Sequence, residues 1–249
     1  MDSRRLKGKT AVVTGGSSGI GAACASMLAA EGATVLIGYH RGQERAQALL
    51  RELPGSGHVA LPIPLEDAES HEGLARQVTE ALGKVDILVN SAGYTQRIAH
   101  ADLNALTPRM FNEIVAANVG GPYSITRALM PLLCESGDGL VVNVSSVSAF
   151  TGLGSNLAYC AAKAALDTMT MSLARVFGPQ VRMVCVSPAA VDTGFVEGRS
   201  QKDLADKAAQ TPLGRVVTPE DVALAVVACA THLKTATGTR IIIDWGHRL

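Results

Sequence analysis

Tyr159 and Lys163 stand four residues apart in an Ala-rich stretch, and Ser146 lies thirteen residues before Tyr159 at the end of an apolar run. On a helix, that spacing puts the phenol and the ammonium on one face, one turn apart. A free phenol titrates near pH ~10, too high for proton transfer at neutral pH, and a nearby cation favours the phenolate. A hydroxyl delivered from a neighbouring strand can hydrogen-bond the oxygen that gains or loses the proton. Together these residue types predict acid–base chemistry at an oxygen atom. Tyr-x-x-x-Lys also arises by chance on solvated helix faces, so the elements around it must decide.

Those elements alternate from end to end. Apolar runs at Thr10–Thr14, Thr34–Tyr39, Val59–Pro62, Ile87–Ser91, Leu140–Ser146, Val181–Ser187 and Arg240–Ile243 are continuous rather than alternating in and out, as expected for parallel strands covered on both faces. Between them the pattern predicts helices over Gly19–Gly32, Gly42–Leu53, Ser70–Leu82, Thr107–Leu133, Leu157–Phe177 and Pro219–Thr231. Thr107-Pro108 and Thr218-Pro219 each place a capping hydroxyl before a first-turn proline. Strict β-α alternation predicts an α/β fold: a doubly wound parallel sheet of about seven strands with helices on both faces, the Rossmann type. The chain reads as one domain over residues 1–249. Its least regular stretch, Ala189–Arg215, is a candidate lid.

Thr14-Gly15-Gly16-Ser17-Ser18-Gly19-Ile20-Gly21 follows the first strand and opens the first helix. In such a sheet the first βα turn faces the crevice where dinucleotides bind, with phosphates at the helix N-terminus. Glycines there allow a tight turn, a close backbone approach to the phosphates, and close packing of helix on strand.

Composition narrows the class. Apolar residues make up 47% of the 249, and Lys plus Arg equals Asp plus Glu at 22 each, so nothing favours a nucleic-acid partner. No apolar stretch reaches membrane-spanning length, and the polar start Met1–Lys9 is unlike a signal peptide. Cys24, Cys134, Cys160, Cys185 and Cys229 lack Cys-x-x-Cys spacing and read as small buried thiols in a reducing, cytoplasmic setting. The six histidines lack ligand spacing, so no metal site is expected.

Taken jointly, Thr14-Gly15-x-x-x-Gly19-x-Gly21, Asn90-Ser91-Ala92-Gly93, Asn118, Ser146, Tyr159-x-x-x-Lys163 and Ser187-Pro188 resemble, in order and spacing, the short-chain dehydrogenase/reductase superfamily in its compact single-domain branch. Within that superfamily the chain is similar to 3-oxoacyl-[acyl-carrier-protein] reductases. The resemblance implies hydride transfer between a nicotinamide cofactor and a carbonyl/alcohol pair. By this likeness Tyr159 is the general acid/base, Ser146 holds the substrate oxygen, Lys163 binds the nicotinamide ribose and lowers the Tyr159 pKa, and Asn118 holds a relay water. Expected cofactor contacts are Gly15, Ser17, Ser18, Gly19, Ile20, Gly21, Tyr39, His40, Arg41, Leu65, Asn90, Ala92, Gly93, Tyr159, Lys163, Pro188, Ala189 and Val191. Pro122 adds a physical argument: it cannot donate to the carbonyl four residues back, so the Asn118 carbonyl is left for that water or the helix simply kinks.

The second strand ends Gly38-Tyr39-His40-Arg41 without the carboxylate that would accept from a ribose 2′-hydroxyl. Arg41, with His40 and Ser17, suits a 2′-phosphate, which makes NADP the expected cofactor in preference to NAD. Three departures from the family pattern stand out: Pro64-Leu65-Glu66-Asp67 carries Pro64 where an adenine-side Asp is usual, Pro188-Ala189 replaces Pro-Gly, and Asp244-Trp245-Gly246 replaces Asp-Gly-Gly. Trp245 is expected at an interface or a neighbouring pocket. Substrate-lining candidates are Tyr94, Gln96, Arg97, Ser148, Leu153, Asn156, Ala190, Val191 and Phe195, mostly small or apolar. They suit a ketone, with a 3-oxoacyl thioester as the first expectation. A sugar, polyol or other secondary-alcohol dehydrogenase is the alternative, and a non-catalytic NADP(H)-binding sensor the distant one. Relatives pair through the long helices, so a homotetramer or homodimer is expected.

Overall fold

The apolar runs form a single parallel sheet because each strand is covered on both faces. The computed structural model describes residues 4–65, 70–198 and 200–249. The strands are β1 (Thr10–Thr14), β2 (Thr34–Tyr39), β3 (Val59–Pro62), β4 (Ile87–Asn90), β5 (Gly139–Val144), β6 (Val181–Pro188) and β7 (Thr239–Ile243). Their order is β3-β2-β1-β4-β5-β6-β7, and all pairs are parallel. Successive side chains feed opposite cores. Val13 and Val142 pack with Cys24, Leu28 and Val226 on one face, while Val12 and Val141 pack with Ile125, Leu129 and Leu133 on the other.

The helices are α1 (Gly19–Ala30), α2 (Gln43–Glu52), α3 (Leu74–Leu82), α4 (Pro108–Val115), α5 (Gly121–Glu135), α6 (Ser148–Thr151), α7 (Leu157–Phe177), α8 (Gln201–Ala209) and α9 (Pro219–Thr231). Both Thr-Pro starts cap as expected: the Thr107 hydroxyl accepts from the Met110 amide at 3.3 Å, and Thr218 and Asp221 form a reciprocal capping box.

Four local expectations are corrected. Ser91, Ser145 and Ser146 lie just past the ends of their strands and line the cleft, although the Ser145 amide still donates to the Val186 carbonyl at 2.8 Å. A 3-10 turn, Ser70–Gly73, precedes α3. The helix expected over Thr107–Leu133 is interrupted at Ala116–Gly120 by a π-helical turn, because Pro122 offers no amide to continue the α ladder. The stretch Ala189–Arg215 is not wholly irregular, since Ser200 and Asp203 cap α8 reciprocally. Of the Pro64–Asp67 departure, Glu66 and Asp67 lie outside the described residues, as does Arg199.

Strand order reverses at β1, where β2 leaves to one side and β4 lies on the other, and the crevice opens there above the C-terminal strand ends.

Candidate active site

Backbone sterics shape the first wall of the crevice. Gly15 has φ +63°, and a Cβ on it would sit 2.9 Å from the Ala92 Cα; one on Gly21 would sit 2.3 Å from the Gly15 carbonyl oxygen. The β1–α1 turn therefore lies directly against the loop after β4. The Thr14 hydroxyl fixes that contact by accepting from the Ser91 and Ala92 amides at 3.1 and 3.2 Å. Ser18, before α1, uses no side-chain cap, so the first amides of the helix keep their anion-binding capacity.

The second wall carries Ser146, Tyr159 and Lys163. Asn156 caps α7, accepting from the Tyr159 amide at 2.8 Å and donating to the Gln96 carbonyl at 2.8 Å, which fixes Tyr159 relative to the loop after β4. The Tyr159 ring is half-buried, 6.0 Å from Phe195 centroid to centroid. Lys163 Nζ lies 5.5 Å from the Tyr159 ring centroid and donates to the Val144 carbonyl at 2.9 Å. Burial pulls the Lys163 ammonium down to about 8, against the opposing influence of Cys185 and Asp167. The Ser146 hydroxyl accepts from the Ser148 amide and donates to the Ser148 hydroxyl, both at 3.1 Å.

Asn118 sits in the π-helical turn, fully buried, and its amide donates to the Tyr94 carbonyl at 2.6 Å and to the Ile114 carbonyl at 2.9 Å. Its side-chain oxygen is buried without a partner, and a Cβ on Gly93 would sit 2.8 Å from it. Asn118 thus ties the loop after β4 to the interrupted helix, while Ala116 and Ala117 beside it face the cleft.

Between these walls lies a cleft of about 1610 Å³. Of the expected residues, Gly15, Ser17, Ser18, Gly19, Ile20, Gly21, His40, Arg41, Leu65, Ala92, Gly93, Ser146, Tyr159, Lys163, Pro188, Ala189 and Val191 line it. Tyr39, Asn90 and Asn118 do not. Tyr39 packs against the core, and Asn90 donates to Thr126 and Asn143 inside the sheet. Among the substrate candidates Tyr94, Arg97, Ser148, Leu153, Ala190, Val191 and Phe195 line the cleft, whereas Gln96 and Asn156 are spent on the α7 cap. Arg97 is not merely solvated: it pairs with Asp203 of α8 at 3.3 Å. Hydrogen bonds from the backbone and side chain of Ser200, with Arg97 beside them, hold the Asp203 carboxyl below its usual range. Trp245 adopts φ +50° and packs on Arg215, and its neighbour His247 reaches the cleft.

Sequence reasoning missed Arg45, which lines the cleft beside Arg41 and Ser17. Its signal was available, four residues after Arg41 at the start of α2. It also missed His71, whose ring bonds the Pro64 carbonyl at 2.7 Å and the Ser124 hydroxyl at 3.0 Å. His71 thereby anchors the loop in which Pro64 replaces the expected Asp.

A cleft at the switch point of a doubly wound sheet, with a glycine cradle at one end and a Ser–Tyr–Lys set at the other, defines a dinucleotide-binding oxidoreductase. The comparisons agree. A family model described as Enoyl-(Acyl carrier protein) reductase matches residues 15–248. The chain is 38% identical over 241 residues to a ketoacyl-reductase candidate of the granaticin polyketide synthase of Streptomyces violaceoruber, with 96% of each covered. It is 34% identical over 248 residues to a 3alpha-hydroxysteroid dehydrogenase of Mediterraneibacter gnavus, with 98% of each covered. It superposes with a TM-score of 0.88 on the crystal structure of a short chain dehydrogenase from Burkholderia cenocepacia J2315 in complex with NADP, 32% identical, covering 98% of this chain and 100% of that one.

The chain belongs to the short-chain dehydrogenase/reductase superfamily and is a nicotinamide-dependent oxidoreductase acting on CH–OH and C=O groups. The residues present fit the dinucleotide: Gly15, Gly21 and Gly93 leave no room for side chains where its backbone cradle forms.

Proposed function

We propose that the chain reduces a ketone to a secondary alcohol with NADPH, Tyr159 supplying the proton. The observation that carries this reading is a single cleft with Ser146, Tyr159 and Lys163 at one end and Ser17, His40, Arg41 and Arg45 at the other. Two guanidiniums near the end of β2, where a carboxylate would select NAD, suit a 2′-phosphate. When bound, the cofactor supplies the hydride for the carbonyl carbon. The Ser146 hydroxyl turns from Ser148 toward the carbonyl oxygen and holds it, and Tyr159 gives its proton to that oxygen as negative charge develops. The buried Lys163 ammonium favours the Tyr159 phenolate left behind. Reprotonation then runs through water held at the Asn118 carbonyl, which Pro122 cannot serve as a donor.

The substrate end is lined by the apolar Phe195 and Leu153 and by a polar collar of His100, Glu113, Asp206 and Lys207. This supports a ketone near Tyr159 attached to a polar portion, as in a 3-oxoacyl thioester. The same collar favours a second reading, a sugar or polyol dehydrogenase. Ala189–Arg215 acts as the lid, pinned at its base by a bridge between Val191 and Val217 and tied across by Arg97–Asp203. The half-exposed Tyr123, Leu157 and Met171 on α5 and α7 support a homotetramer or homodimer, and five free cysteines support a reducing, cytoplasmic location.

Tyr159→Phe is the test. Turnover in an NADPH-oxidation screen of acetoacetyl thioesters, keto sugars and simple ketones should fall by about 100-fold or more while NADPH affinity is kept. Retained turnover would sink the assignment.

A further inference from the structure

The acid–base helix carries a third charged residue on the same face. Tyr159, Lys163 and Asp167 follow one another at intervals of four along α7, so the carboxylate lies one turn from Lys163 on the side away from the phenol. Asp167 is 8% exposed, and neither of its oxygens makes a hydrogen bond. Such a buried carboxylate is costly unless a charge nearby compensates it.

Every element packed around it explains that arrangement. From β7, Arg240 approaches at 3.4 Å and also lies 5.1 Å over the Phe150 ring, so it caps the pair at the surface. From β6, the Cys185 thiol donates to the Thr170 hydroxyl at 3.1 Å. Burial and then Asp167 push that thiol up, so Cys185 is neutral at ordinary pH. Among the described residues, Lys163 donates to the Val144 carbonyl and makes no ion pair. The negative charge that remains within reach of the buried ammonium is Asp167.

We propose that Asp167 is a positioning residue that keeps Lys163 cationic inside the protein, with Arg240 competing for its charge. The purpose of that charge rests on the function proposed above, but the charge itself is measurable on the free protein. Arg240 sits in the edge strand in register with Cys185, which in turn pairs with Asn143 and Asn90, so the pair terminates a row that begins beside the β1–α1 turn at Thr14.

The test is a pH titration of the full-length protein labelled with carbon-13 at lysine Cε, followed by NMR, with the Lys163 signal identified by its loss in Lys163→Gln. Asp167→Asn, which keeps the shape and removes the charge, should lower the Lys163 midpoint by about one pH unit, the scale of an opposite charge nearby. Asp167→Glu should retain most of the original midpoint. Arg240→Gln, a substitution at a half-exposed site, should raise the midpoint, because it removes a competing cation. General loosening of the packing would move the Asn and Gln variants in the same direction. An unmoved midpoint in Asp167→Asn overturns the proposal. Should that variant fail to fold, an unchanged or lowered midpoint in Arg240→Gln overturns it alone. Failure of Tyr159→Phe to lose turnover would remove the catalytic purpose and leave this electrostatic result standing.

Discussion

At the N-terminal edge of the sheet, Asp86 is 2% exposed and its carboxylate is saturated. Lys9 and the Thr10 amide each donate at 2.8 Å, the Thr10 hydroxyl at 3.2 Å, and Lys84 pairs at 3.1 Å. Toward the C-terminal edge, the Asn118 side-chain oxygen and the Ser187 hydroxyl are buried with no hydrogen-bond partner among the described residues, and Asp167 has only the ion pair with Arg240. The cations differ in the same way. Lys9 and Lys84 are ion-paired, whereas Arg41 and Arg45 have no ion pair among the described residues. One edge is built to hold the sheet together, and the other keeps free valences for a ligand and for a proton.

Breaking the saturated edge should have the largest effect. Asp86→Asn leaves Lys9 and Lys84 without their anion and should lower unfolding stability by about 3 kcal/mol, read from the denaturant midpoint, with turnover per folded molecule unchanged. The stability Asp86 contributes depends on pH. Burial alone would raise its pKa, but hydrogen bonds from Lys9, Thr10 and Lys84 hold the carboxyl below its usual range. Its contribution is therefore present above the ordinary carboxylate pKa and lost as pH falls through the lowered one.

Lys163 behaves oppositely. Its folded value of about 8 lies below the ordinary 10.5, so the unfolded chain binds more protons between the two and stability rises with pH across that window. Lys163→Met should abolish turnover while costing less stability at pH 7 than Asp86→Asn, and its stability relative to the parent protein should fall as pH climbs from about 8 toward 10.5. Equal destabilisation of both variants at pH 7 would erase the contrast between the two edges.

The saturated edge and the unsaturated one were unequally legible. Val12, Leu36, Val89 and Val142 announced buried parallel strands, and Thr107-Pro108 and Thr218-Pro219 announced their helices, because periodicity and capping are local. Ser146, Tyr159 and Lys163 were readable because chemistry fixes their types and a helix fixes their spacing. The pairing of Arg97 with Asp203, the anchoring of the loop by His71 and the approach of Arg240 to Asp167 were not readable. They join residues 106, 53 and 73 positions apart, which only the tertiary fold brings together. The π-helical turn fell between these cases: Pro122 signalled an interruption, but whether the helix would widen or break depended on the packing of Asn118.

Smaller effects sharpen the contrast. Arg45→Gln should weaken NADPH binding about 10-fold, the value of one charge-assisted contact, and leave NADH binding unchanged. Equal weakening of both would place Arg45 among the packing residues instead.

The smallest predicted effect is at Ser187, which is fully buried beside Pro188 and has a hydroxyl with no partner. A buried hydroxyl without a hydrogen bond carries its desolvation cost in the folded state alone. Ser187→Ala removes that cost and only one small atom of packing, so the denaturant midpoint should rise by the equivalent of about 0.5–1 kcal/mol. Ser187 lies beside the cleft residue Pro188, so turnover is the second readout, and it should fall or hold but not rise. A loss of stability instead would mean that the hydroxyl finds a partner in solution, and Ser187 would then belong with Asp86 on the structural side of the molecule.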